Sequence, residues 1–68
     1  MTIHYDSKTD LLYLQLESSE QQVINKRVSD DIVLDMEVND KIIGIEIMDA
    51  SKHINLEKLM PVSYSEAS

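Results

Sequence analysis

Along most of the chain apolar and polar residues alternate with a period of two. The stretches "TIHYD", "LLYLQLE", "VINKRVS", "DIVLDMEV" and "KIIGIEIMD" each read as a short strand rich in Ile, Val, Leu and Tyr, the third being the weakest. Between them "DSKTD", "SSEQ", "SDD" and "ND" are polar and too brief for a crossover helix, so sequential strands are expected to be antiparallel hairpin neighbours. A two-residue loop at Asn39-Asp40 pairs Met36 with Ile43, Leu34 with Ile45 and Ile32 with Ile47, because an odd loop would set carboxylates against isoleucines. Those six residues, with Ile3, Tyr5, Leu12, Leu14 and Leu16, make the expected core face.

That face needs a cover, which the C-terminal "NLEKLM" supplies: Asn55 caps a short helix, Leu56, Leu59 and Met60 share one side, and Pro61 ends it. The expected fold is α+β. It is a single small domain over residues 1–61, an approximately five-stranded antiparallel β-meander with one short C-terminal helix packed on one face. Residues 62–68 are expected to be a frayed tail.

The opposite face carries the chemistry. Asp35, Glu37 and Glu46 lie there with Val33, Ile42, Gly44 and Met48, and Asp35 is expected opposite Gly44. They read as a solvated or partner-facing carboxylate surface; a hard-cation site is the alternative, opposed by side chains that stand parallel on a sheet face and by the lack of an Asp/Asn-Gly calcium loop. Acid and base work by paired carboxylates needs a cleft for which so short a chain leaves little material. A three-residue turn at Ser29–Asp31 brings Arg27 near Asp35 as an ion pair, and turns Lys26 toward the core parity, which requires a bulge or an edge strand. Tyr13 is either an exposed contact residue or a cross-strand filler. Candidate partner-binding residues are therefore Tyr13, Asp35, Glu37 and Glu46.

Composition removes several alternatives. The chain has 68 residues, no Cys, and one Gly, so thiolate metal sites, disulfides and phosphate-cradling glycine loops are excluded. His4 and His53 lack a third ligand and read as surface or packing residues, and Ser51 as a turn or cap hydroxyl. No catalytic, cofactor-binding or metal-binding residues are assigned, and no enzyme activity is expected. The formal charge of −7 opposes direct nucleic-acid binding. No apolar run approaches the ~20 residues of a membrane span, so a cytoplasmic protein is expected.

The stretches "YDSKTDLLYLQL" and "IVLDMEVNDKIIGIEIMDASKHI" resemble the small bacterial family called domain of unknown function 2283. The matching residues are Tyr5, Asp6, Asp10, Leu12, Tyr13, Leu16, Asp35, Gly44, Ile45, Glu46, Ile47, Ala50 and Ser51, over about residues 3–54. Relatives often have glycine in the turn at Asn39-Asp40, where this chain has none. The resemblance implies no established activity; some members are encoded beside small toxin-like proteins, which implies an antitoxin-like or accessory role. The expected function is thus a small acidic, non-enzymatic interaction module for a protein partner such as a basic toxin-like protein, with metal or small-ligand binding by the carboxylate face as the alternative. A homodimer is a further expectation, because Val33, Ile42, Met48, Leu11 and Tyr13 would leave apolar surface on the outer face.

Overall fold

The computed structural model describes residues 1–19, 21–59 and 65–67. Five antiparallel strands, β1 (Thr2–Asp6), β2 (Leu11–Gln15), β3 (Val23–Arg27), β4 (Ile32–Glu37) and β5 (Ile42–Ile47), lie in one sheet, followed by helices α1 (Ala50–His53) and α2 (Leu56–Leu59). A last strand, β6 (Ser65–Ala67), runs parallel to β1 at one edge. The rest of the segment read as a frayed tail, residues 62–64 and 68, lies outside the described residues, as do Met60 and Pro61.

The strand order is β3-β4-β5-β2-β1-β6, so the meander is broken once: β2 pairs with β5 and not with β3. Burial explains the choice. All five residues of β3 are exposed, whereas β2 and β5 each present apolar side chains that a central position can hide. Crossing from β2 to β3 spans about 14 Å of sheet, and residues 16–22 can reach farther than that when extended. The edge position also accounts for Lys26, whose core-side parity opens to water beyond the reach of the helices.

The final hairpin corrects the expected loop. Glu37 N–H donates to Lys41 O at 2.8 Å and Asp40 N–H to Glu37 O at 2.9 Å, closing a three-residue loop with Asp40 at φ 70. An odd loop alone would flip every later residue. A bulge between Asp35 and Met36 cancels it: Met36 pairs with Ile42 instead of Ile43, while Asp35 still meets Gly44, Leu34 meets Ile45 and Ile32 meets Ile47. The β3–β4 register agrees with the three-residue turn at Ser29–Asp31, with Val28 N–H donating to Ile32 O at 2.9 Å.

Ile3, Leu12, Ile47 and Ala50 form the buried centre of the core, packed by Tyr5, Leu14, Ile32, Ile45, Ile54, Leu56 and Leu59. Asn55 caps α2 as expected, its Oδ1 accepting from Glu57 N–H at 3.1 Å. α1 is the unexpected second helix. Its N-cap residue, Asp49, makes no side-chain cap bond. Asp10 supplies it from the β1–β2 turn, accepting from Ser51 Oγ at 2.6 Å, Ser51 N–H at 3.1 Å and Tyr5 OH at 2.8 Å. The Ser51 hydroxyl thus donates to the capping carboxylate instead of capping the helix itself, and four residues of the family-like pattern, Tyr5, Asp10, Ala50 and Ser51, tie a turn to a helix; Ala50 N–H donates to Asp10 O at 2.9 Å. Among the described residues no helix is long and apolar enough to cross a membrane.

Candidate functional site

On the face opposite the helices, β2, β5, β4 and β3 lie side by side, and four polar side chains converge across them. Register places Tyr13 beside Glu46, Asp35 beside Gly44, and Asn25 beside Asp35. Gly44 is what permits the convergence. A Cβ there would lie 2.4 Å from the Tyr13 hydroxyl oxygen and 2.8 Å from its Cζ, closer than side-chain packing allows. The ring therefore lies over the bare glycine backbone and carries its hydroxyl across β5 to Asp35 on β4.

Asp35 is the hub. Only 7% of it is exposed, and its Oδ1 accepts from Asn25 Nδ2 on β3. The Tyr13 hydroxyl and the Glu46 carboxyl also hydrogen-bond to it. A carboxyl group in contact with another carboxyl group is harder to ionise. The hydrogen bond with Asp35, then burial, then the Asp35 charge raise the Glu46 pKa, against a smaller opposing effect of Arg27. Tyr13 is pushed up as well, chiefly by burial and then by the Asp35 charge.

These positions revise the sequence reading. The carboxylates are not a wet surface, since Asp35 and Glu37 are 7% and 6% exposed and Glu46 is half-buried. Nor do the side chains stand parallel; Tyr13, Asn25 and Glu46 lean in on Asp35. Arg27 does not bond Asp35 but donates to Asp30 O at 2.6 Å, and its charge acts on Glu46. Tyr13 is a filler with a polar tip. Val33, expected to leave outer apolar surface, is 9% exposed, and the exposed large apolar residues near the sheet's β3 end are Val23, Ile24 and Val28.

Asn25 was not singled out by the sequence, and Gly44 was placed opposite Asp35 without its role as a seat for the Tyr13 ring. The usable signal was an isolated glycine within a strand pattern, which marks a close approach by something large. His4 is exposed; His53, also exposed, sits 2.8 Å from Asp31 Oδ2, pinning α1 to the β3–β4 turn. Among the described residues no group of three or more His, Asp or Glu side chains is placed to hold a metal ion. A surface depression of about 460 Å³ lies elsewhere, along residues 51–57, and shares no lining residue with the cluster. The arrangement joins four strands through side chains, with Asp35 engaged from three sides.

The family described as protein of unknown function (DUF2283) matches residues 2–51, well over half of the chain. No curated protein and no solved structure matches it.

Proposed function

Because the chain belongs to the DUF2283 family of proteins of unknown function, membership brings no activity with it, and we propose from the geometry that this is a small acidic, non-enzymatic protein-interaction module of the cytoplasm whose contact surface is the β3 end of the sheet. One observation carries the reading: β3 is an edge strand with every residue exposed, Ile24 at 48% and Val23 at 41%, and Val28 just beyond it at 50%. Exposed branched apolar residues beside unpaired strand backbone form a docking edge. The polar cluster supports the non-enzymatic part of the reading, since Asp35 is already engaged by Asn25, Tyr13 and Glu46. The remaining exposed carboxylates, among them Glu17, Asp30, Asp40 and Glu57, would steer a basic partner toward the chain. An antitoxin-like or accessory role would draw on that charge.

The test is site-specific photocrosslinking in cells. A photoreactive residue at position 24 should give discrete protein adducts, copies of this chain included, whereas one at Lys58 on α2 should not. Equal labelling from both positions, or none from either, would sink the reading.

A further inference from the structure

We propose that the occupant of the β3 edge is the β3 strand of a second copy, paired antiparallel about a two-fold axis at Asn25. The inference rests on the interaction reading above and names its partner.

Backbone geometry selects the strand's free groups. Val28 N–H donates to Ile32 O, so Val28, Lys26 and Ile24 point their backbone groups toward β4. Val23, Asn25 and Arg27 then point theirs outward, unpaired within the sheet. In a two-fold antiparallel pair whose copies keep the same face up, residues opposite one another share parity, so the axis must pass through a residue. An axis at Asn25 sets Asn25 against Asn25 and Val23 against Arg27 of the second copy. Every outward N–H and C=O of the strand then gains a partner. An axis at Ile24 or Lys26 leaves some of them without one.

The charges select the same register. β3 has no carboxylate and holds Lys26 and Arg27, so the favoured register is the one that keeps these cations from facing one another across the axis. With the axis at Asn25, Lys26 faces Ile24 and Arg27 faces Val23 of the second copy, so their aliphatic stems cover the exposed branched residues. Axes at Lys26 or Arg27 would set like charges directly opposite. Asn25 is also tied back to Asp35 on β4, which fixes its side chain away from the seam at the centre of the contact.

The experiment is sedimentation velocity across micromolar concentrations with three proteins. Wild type should show a concentration-dependent dimer. Ile24→Lys, at an exposed position that the fold does not need, sets two like pairs across the axis and should weaken the dimer about tenfold. Ile24→Lys combined with Lys26→Glu turns both into opposite-charge pairs and should restore it, which no other register explains. Circular dichroism on each variant confirms the unchanged fold. A wild-type monomer at every concentration overturns the dimer, as does a dimer indifferent to Ile24→Lys or one that the double variant fails to restore. If position 24 still crosslinks a different protein in cells, the interaction reading survives that failure; if it crosslinks nothing, both fall together.

Discussion

Asp10 and Asp35 each gather hydrogen bonds from distant parts of the chain, one beside the helices and the other on the opposite face. Every neighbour of Asp10 brings a hydrogen: the Ser51 hydroxyl and amide and the Tyr5 hydroxyl all donate. Its pKa is accordingly lowered, first by the Ser51 hydroxyl and then by Tyr5. Asp35 has Asn25 and Tyr13 as donors, but its third neighbour is another acid, and the pKa of that neighbour, Glu46, is raised. The residue type is the same in both places. What differs is whether every neighbour donates, and that decides whether a carboxyl pKa in the group moves down or up.

The largest test of this contrast removes the buried hub. Asp35→Ala should cost about 2 kcal/mol in urea denaturation at neutral pH, because Asn25 and Tyr13 lose a buried acceptor. Asp10→Ala should cost less, since water can reach the donors it frees. A smaller loss at Asp35 than at Asp10 would reverse the ranking.

Next comes the glycine. Gly44→Ala should destabilise by about 1–2 kcal/mol by pushing the Tyr13 ring off its seat. On a Tyr13→Ala background the same change should be nearly silent, and an undiminished cost there would show that the ring is not what the glycine accommodates.

The smallest effects are in pH dependence, and their signs are opposite. Glu46 titrates above its ordinary value of 4.5 in the folded protein, so its contribution is complete below that value and is lost as pH rises through the folded pKa. Asp10 titrates below its ordinary value of 3.8, so its contribution is present above that value and is lost as pH falls through the folded pKa. In melting curves recorded against pH, Glu46→Gln should flatten the decline toward neutral pH and Asp10→Asn the decline into acid. A single variant that flattened both limbs would break the distinction.

Much of the sheet was legible because period-two patterning fixes parity and short loops fix register. Asp35 opposite Gly44, Ile32 opposite Ile47 and the Asn55 cap all follow from local signals. Two compensating irregularities hid from the same logic: the loop before Lys41 is odd, and the bulge at Met36 restores what it displaces. The β2–β5 pairing was not legible, since it depends on which strands bury best together and not on any one loop. The cluster was half legible. Parity put Tyr13, Asp35, Glu37 and Glu46 on one face, but alternation describes direction at the backbone and not how a long ring over a glycine can carry its tip two strands away. The burial of Asp35 followed from that convergence, which only three-dimensional placement reveals.

The β2–β5 seam also sets the order of assembly. β1–β2 and β3–β4–β5 are each joined by short loops, so either can pair soon after collapse at small entropic cost. The seam between them, and the Asp10–Ser51 bonds spanning 41 residues, must wait for a longer closure than either hairpin needs. Until it forms, the apolar edges of β2 and β5 are bare, and the folding chain is most exposed to misassembly at the strands that end up deepest inside.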